Sequence, residues 1–278
     1  MAYAHIPDQV FSHPENTATG TATTPLMLDV HRPAHDEQLP AVLYVHGGGW
    51  GRGDRTTDVD KRVLPLVDAG FVVATLDYRL APDHSYPSPV EDVIAAGEYL
   101  RFEANRFRLD PQAVGVWGSS AGASLSTLAA LRRPDLFGAF VHYCGPTDFH
   151  ASSSRSPMEA LLLGKPMETA YLGGEDDKHD EGDAGDEYLK RARDASPISL
   201  AAQAARPSLV VHGDRDRLTG LADAEALHSR LSRAGSESTL MTVAGAGHDD
   251  PRFDNSFIRA ATAAFLTDAL HRQPLALG

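Results

Sequence analysis

The sequence is poor in cysteine: among 278 residues there is a single one, Cys144. An intramolecular disulfide or a cysteine-based zinc cluster needs at least two thiolates, so both are excluded and the fold must be held together by packing. Cys144 follows a predicted buried strand. We interpret it as a small core residue rather than a nucleophile, because free cysteine is usually buried.

Basic residues and long apolar runs are also scarce. Lys and Arg total 25 against 38 Asp and Glu, a net charge of −13. That charge makes wide contact with nucleic acid or anionic lipid unfavourable, so we expect neither as a partner. No stretch of about 18 apolar residues is present, as a membrane helix would require, and the start lacks the pattern of a secretory signal. We therefore expect a cytoplasmic protein.

Short apolar runs alternate with segments of helical period. The runs lack the in/out alternation of a half-exposed sheet and so predict buried strands; they are residues 41–45, 71–76, 113–117, 138–143 and 208–212. Residues 90–107 carry apolar side chains at three- and four-residue spacing, which is typical of a crossover helix. The alternation predicts an α/β fold with a mostly parallel sheet covered by helices on both faces, in one domain over residues 1–278.

The strongest motif is a serine between glycines, Gly118 to Gly122, which fits G-x-S-x-G. It lies directly after a predicted strand and before a predicted helix. In that context a serine adopts strained backbone geometry and its hydroxyl projects above the sheet, so Ser120 is the candidate nucleophile. The alternative is a Gly/Ser-rich turn that only caps the helix.

A serine hydroxyl needs a base, and the base needs a carboxylate to orient it. Asp216 follows the last predicted strand, and His248 lies further on in a glycine-rich loop. The chain order Ser, Asp, His is the one expected for an α/β-hydrolase. We assign His248 as the base and Asp216 as the acid; Asp214, two residues earlier on the same loop, is the competing acid. The alternative for His248 is an ordinary surface loop residue.

Donors for an oxyanion are expected from the segment HGGGW, which begins at His46. Successive glycines let the backbone turn its N–H groups toward a ligand, and the N–H of the residue after the nucleophile completes the hole. We assign Gly48, Gly49 and Ala121. A phosphate-binding loop would require a following Lys-Ser/Thr pair, which is missing. His46 is interpreted as a residue that braces this loop.

Taken together, HGGGW, YRLAPDH (residues 78–84), GSSAG, HGDRD and GAGHD resemble the hormone-sensitive-lipase-like group of α/β-hydrolase esterases. Further fragments, at residues 144–148, 156–159 and 195–198, resemble small bacterial esterases, some of which deacylate carbohydrates. The resemblance implies hydrolysis of small short-chain carboxylic esters, with acylated carbohydrates as one substrate class, and no metal or organic cofactor. It also implies that residues 78, 79 and 83 brace the loop under the site.

Only 45 residues precede HGGGW, too few for the helical N-terminal lid of the larger members of that group. We therefore expect a cap insertion around residues 150–200, in which residues 158–172 form an amphipathic cover. The tract 175–187 holds eight acidic residues and one lysine. It is interpreted as an exposed loop, since a calcium site would require a different spacing.

Trp50, beside the glycine loop, and Ser119, beside the candidate nucleophile, are the candidate substrate-binding residues, although an aromatic at position 50 is also compatible with core packing.

Two other functions remain open. An amidase, formamidase or peptidase would use the same three side chains. A non-catalytic binding protein on the same fold would lack one of them, and here none is missing. The sequence does not fix the oligomeric state.

Overall fold

An eight-stranded sheet forms the centre of the fold. The computed structural model describes residues 2–16, 21–22, 24–150, 167–174, 183–202 and 206–272. Its strands are β1 (Tyr3–Ser12), β2 (Glu15–Asn16), β3 (Thr21–Ala22), β4 (Leu26–Pro33), β5 (Leu39–Val45), β6 (Val72–Leu76), β7 (Leu109–Ser119), β8 (Ala139–Tyr143), β9 (Ser208–Gly213) and β10 (Ser238–Val243). All but β2 and β3, which pair with each other, belong to the sheet, in the order β1-β4-β6-β5-β7-β8-β9-β10.

The sheet is mostly parallel. From β6 to β10 every neighbouring pair is parallel, whereas β1 pairs antiparallel with β4 and β4 antiparallel with β6. Every residue of β6, β8 and β9 is buried, which explains why these strands read as continuous apolar runs. All five predicted strands are present, and the predicted α/β-hydrolase fold class is confirmed.

Helices cover both faces of the sheet. They are α1 (Leu64–Asp68), α2 (Ser88–Phe102), α3 (Ala104–Phe107), α4 (Ala121–Arg132), α5 (Glu168–Tyr171), α6 (Asp183–Ala195), α7 (Pro197–Leu200), α8 (Leu221–Arg233) and α9 (Ser256–Arg272), with a π-helical turn at Val59–Val63 and a 3₁₀ turn at Pro251–Asp254. Along β5, Leu43 and Val45 face one apolar core while Val42 and Tyr44 face a second. None of the described helices has the length and apolar character of a membrane span.

Three strands of the sheet were not predicted. β1 and β10 lie at the two edges and are only partly buried, so neither forms an apolar run. β4 is almost wholly buried, but it carries Asp29, His31 and Arg32 in the interior. Because these polar residues interrupt the sequence of β4, it does not form an apolar run.

The sheet order brings the predicted motifs to one edge. The glycine loop follows β5, Ser120 follows β7, Asp216 follows β9 and His248 follows β10. Because parallel strands share the direction of their carboxyl ends, the loops that follow them meet above the same edge of the sheet.

Candidate active site

Ser120 occupies a strained turn between β7 and α4. Its φ of 53° and ψ of −121° lie outside the regions that L-residues normally adopt. The turn is too tight for side chains on either flank: a Cβ at Gly118 would lie 2.1 Å from the carbonyl oxygen of Gly122, and one at Gly122 would lie 2.1 Å from that of Val45. The glycines therefore permit the close approach that raises the Ser120 hydroxyl above the sheet.

A chain of two hydrogen bonds runs from Ser120 to Asp216 through His248. Ser120 Oγ lies 2.8 Å from His248 Nε2, and His248 Nδ1 lies 2.8 Å from Asp216 Oδ2. When Nδ1–H donates a hydrogen bond to the carboxylate, Nε2 carries no proton and can accept one from the hydroxyl. The side chain of Asp216 is fully buried, whereas that of His248 is 19% exposed. Ser120 and His248 both line the cavity described below, so a ligand can reach these two residues but not the carboxylate.

Asp216 is held as an anion by its surroundings. Its Oδ1 accepts the backbone N–H groups of Leu218 at 2.9 Å and Thr219 at 3.0 Å. Burial acts to raise the pKa of Asp216, but hydrogen bonds from His212, His248 and Thr219 outweigh it and hold that pKa well below its usual range. The carboxylate is therefore charged throughout the neutral range and keeps His248 in a single orientation.

Asp214, the competing acid, has a different position. It is exposed, and its Oδ1 accepts the backbone N–H of Gly245 at 2.6 Å. Asp214 therefore links its own loop to the loop that carries His248 and does not contact the imidazole.

The glycine loop packs directly on Ser120. A Cβ at Gly47 would lie 3.3 Å from the Cβ of Ser120. Gly48 and Gly49 have φ values of +122° and +62°, and a Cβ at Gly48 would lie 2.1 Å from the carbonyl oxygen of Arg52. Ala121 is the first residue of α4, so its N–H is among the four that have no partner within the helix. The glycine loop, with its positive φ values, and the first residue of α4, with its unused N–H group, thus lie on either side of Ser120.

A cavity of about 430 Å³ opens above these residues. Its walls combine the apolar side chains of Met167 and Leu218 with charged residues; the full lining is Gly47, Gly48, Gly49, Arg52, Gly53, Thr57, Asp58, Ser120, Met167, Leu218, His248 and Asp249. Of the predicted cap, residues 151–166 and 175–182 lie outside the described residues, as does most of the acidic tract. The described part supplies Met167 to the cavity wall.

Trp50 and Ser119 lie behind the cavity rather than in its described lining. Trp50 is 2% exposed and stacks on Tyr171, with ring centroids 4.7 Å apart, while Phe149 meets it edge-on. Ser119 is buried, and its hydroxyl donates to Asp249 Oδ1 at 3.3 Å. The structure therefore brings Ser120, Asp216, His248 and the glycine loop together, but not these two side chains; their binding role stays a prediction.

His46 lies beneath the glycine loop. Its Nδ1 donates to the carbonyl oxygen of Gly47 at 2.7 Å, and its ring stacks on Tyr78 at 4.3 Å. Burial lowers the pKa of His46 and keeps the ring neutral. Nearby, Arg79 donates to Asp92 Oδ1 from Nη2 at 2.7 Å. These contacts fit the bracing role expected of the two segments.

Arg62 was missed by the sequence reasoning. Its side chain is 2% exposed and forms ion pairs with Asp58 at 3.4 Å, Asp249 at 2.5 Å and Asp254 at 3.1 Å. Burial alone would lower the pKa of Arg62, but Tyr44 and these carboxylates raise it well above its usual value. No local motif marks this cluster, because its members are up to 192 residues apart.

Comparison with known proteins finds one matching family profile and several esterases of related sequence. The BD-FAE family profile matches residues 28–231. Esterase LipC of Mycobacterium tuberculosis is 31% identical over 239 residues, which cover 80% of this chain and 56% of LipC. Carboxylesterase NlhH of the same species is 37% identical over 106 residues, 38% of this chain and 33% of NlhH. The chain thus spans about half or less of the length of these curated relatives.

Two solved structures share the fold over nearly the whole chain. One is an esterase from the bacterial hormone-sensitive lipase family, with a TM-score of 0.70 and 25% identity, covering 98% of this chain and 84% of its own. The other is a truncated form of a carbohydrate esterase from gut microbiota, with a TM-score of 0.75 and 21% identity, covering 96% of both chains. Similarity at this level of identity establishes the architecture.

Proposed function

The chain belongs to the BD-FAE family, and we propose that it hydrolyses short-chain carboxylic esters through an acyl-enzyme on Ser120. The observation that carries this proposal is the pair of 2.8 Å hydrogen bonds linking Ser120 to His248 and His248 to Asp216. The esterase relatives support the same reaction type.

In the first half of the reaction, Ser120 Oγ attacks the ester carbonyl carbon while His248 Nε2 takes the hydroxyl proton. The resulting imidazolium is stabilised by the buried carboxylate of Asp216. The tetrahedral intermediate then collapses: the bond to the alcohol oxygen breaks, His248 returns the proton to that oxygen, and the alcohol leaves. Ser120 remains as an acyl ester.

In the second half, water replaces the alcohol. His248 takes a proton from water, the hydroxide attacks the acyl carbon, and collapse of the second intermediate releases the acid and restores the Ser120 hydroxyl. In both halves the negative oxygen accepts hydrogen bonds from the N–H groups of Gly48, Gly49 and Ala121. Each such donor is worth about 3 kcal/mol of transition-state stabilisation in enzymes where it has been measured.

The cavity supports a small substrate of mixed polarity. Its volume of about 430 Å³ suits a small molecule, and Met167 and Leu218 offer an apolar surface for a short acyl chain. Arg52 and Asp58 offer polar groups to an alcohol that carries hydroxyls, which is why we extend the proposal to acylated carbohydrates.

We further propose that the segment around residues 150–200 caps the cavity. The cytoplasmic location stays a prediction from the sequence.

The test compares Ser120→Ala with Ser124→Ala, which removes a hydroxyl four residues further on that donates to the carbonyl oxygen of Ala121 at 2.7 Å. Wild type and Ser124→Ala should hydrolyse p-nitrophenyl acetate and butyrate and react with a fluorophosphonate probe, whereas Ser120→Ala should do neither. Matched anilides and acetylated or feruloylated sugars then define the leaving group. Turnover or labelling at the wild-type level in a folded Ser120→Ala variant would refute the proposal.

A further inference from the structure

Two histidines and an aspartate meet where β1 pairs with β4, apart from the residues that line the active-site cavity. His5 and His31 are register partners in the two antiparallel strands, and Asp29 precedes His31 by two residues, on the same face of β4. One ligand atom of each lies within 4.8 Å of the other two. His5 Nε2 and Asp29 Oδ2 are 3.2 Å apart.

His31 is the unusual member of this group. The residue is 4% exposed, and among the described residues neither ring nitrogen has a hydrogen-bond partner. A neutral imidazole carries one donor and one acceptor, and leaving both unpaired in the interior costs stability. A bound ion would give the buried imidazole of His31 the partner that it lacks among the described residues.

Asp29 is already oriented toward the same point. Its Oδ1 accepts Arg55 Nε–H and the backbone N–H of Asp8, both at 2.9 Å. Its Oδ2 faces His5. Such outer contacts fix the direction of a ligating carboxylate. The second oxygen is hydrogen-bonded to His5 Nε2 at 3.2 Å, and a bound ion would take the place of that hydrogen bond.

From these contacts we propose that His5, Asp29 and His31 bind one divalent transition-metal ion, with Zn²⁺ as the best match. Two imidazoles and one carboxylate form a common zinc donor set, and water would fill the fourth position. The site lies outside the ester-hydrolysing machinery.

Binding requires one adjustment, in His5. Its ring is stacked on that of His31, with centroids 4.4 Å apart and an interplanar angle of 6°. The nitrogen lone pairs of the two rings therefore lie in parallel planes and do not converge on one ion. A rotation of His5 turns its nitrogen toward the ion. The side chain is 42% exposed and therefore has room to rotate, whereas Asp29 and His31 are fixed by burial.

The test uses the full chain without an affinity tag, stripped with EDTA. Zinc sulfate alone is titrated by calorimetry, and Co²⁺ is followed by its visible d–d absorption. We expect one ion per chain at this site, and at least about a tenfold loss of affinity in His5→Ala and His31→Asn. His35→Ala, at an imidazole 41% exposed just beyond β4, should bind like wild type. Zinc should also raise the Tm of wild type but not of His5→Ala.

A second group, Cys144, Asp216 and His248, also has ligand atoms within 4.8 Å of one another, so the panel includes His248→Asn. Binding retained in His248→Asn and weakened in His5→Ala supports the proposal. The proposal is overturned if wild type takes up no ion, if His5→Ala binds like wild type, or if only His248→Asn loses binding. Because His5 is partly exposed, its variant decides the result even if His31→Asn does not fold.

Discussion

Thr219 contacts both carboxylate oxygens of Asp216. Its backbone N–H donates to Oδ1 at 3.0 Å, and its hydroxyl lies 2.9 Å from Oδ2, the same oxygen that faces His248. The hydroxyl also lies 2.9 Å from the carbonyl oxygen of Cys144. One side chain thus ties the acid to the strand end beside the nucleophile, and its removal should affect the orientation of the acid more than the binding of substrate.

Thr219→Val should lower kcat about tenfold and leave KM nearly unchanged, because one hydrogen bond to a charged group is worth about 1.5 kcal/mol. Thr219→Ser keeps the hydroxyl and should restore most of kcat. Steady-state kinetics on p-nitrophenyl butyrate would measure both. A rise in KM with unchanged kcat would contradict a positioning role.

The two aspartates of the acid loop should differ sharply. Asp216→Asn leaves the geometry but no longer stabilises the imidazolium, so we expect kcat to fall by about 10⁴, the size seen when the acid of such a triad is amidated. Asp214→Asn removes the negative charge but keeps an amide oxygen that can accept the N–H of Gly245, and it should change kcat less than about threefold. Equal losses in the two variants would reject the assignment of Asp216.

The depressed pKa of Asp216 also has a consequence for stability. The group binds its proton more weakly in the folded chain than in the unfolded chain, where its pKa is about 3.9. Its contribution is therefore complete above that value and is lost as the pH falls through the acid range. Urea unfolding of wild type should show a larger loss of stability between pH 6 and pH 3 than Asp216→Asn. Parallel pH profiles in the two proteins would argue against the linkage.

Arg62→Met should destabilise the fold by about 3–5 kcal/mol, because three carboxylates lose the buried cation they share. Arg272→Met is the matched control. Arg272 is 55% exposed and pairs with Asp268 and Glu237 at the surface, where such pairs contribute about 1 kcal/mol or less. Denaturant midpoints at constant m-value would separate the two. Similar losses of unfolding free energy in the two variants would mean that the buried Arg62 cluster contributes no more to stability than an exposed ion pair does.

Gly49→Ala should lower kcat by about 10²–10³, because the substitution would displace one of the proposed oxyanion donors. Its φ is +62°, and a Cβ there would lie 2.6 Å from Met167 Sδ. Gly235→Ala offers the comparison, since Gly235 has a φ of +86° and nothing within 4 Å of its added Cβ. Both variants should lose about 1–2 kcal/mol of stability from the left-handed backbone. Only Gly49→Ala should lose activity; a comparable fall in kcat in Gly235→Ala would point to a general effect of strain.

The sequence was informative wherever the signal was local. β5 to β9 could be predicted because burial on both faces turns them into apolar runs. The position of Ser120 in a strand-to-helix turn could be predicted because a strand, a glycine-flanked turn and a helix follow one another directly in the sequence; its role as nucleophile stays a prediction. Arg62 and the group around His31 gave no such signal. Their partners come from distant segments, and the polar residues of β4 interrupt the very pattern by which a buried strand is found.

The buried guanidinium of Arg62 joins the segment after the glycine loop to the segment after His248. Displacing the loop that carries His248 would separate the carboxylates of Asp249 and Asp254 from the guanidinium of Arg62, which is 2% exposed. Arg62 therefore fixes the segment that follows His248 to the segment that follows the glycine loop. On the cavity wall, Met167 instead presents a flexible, uncharged side chain that can adjust its shape to a bound ligand.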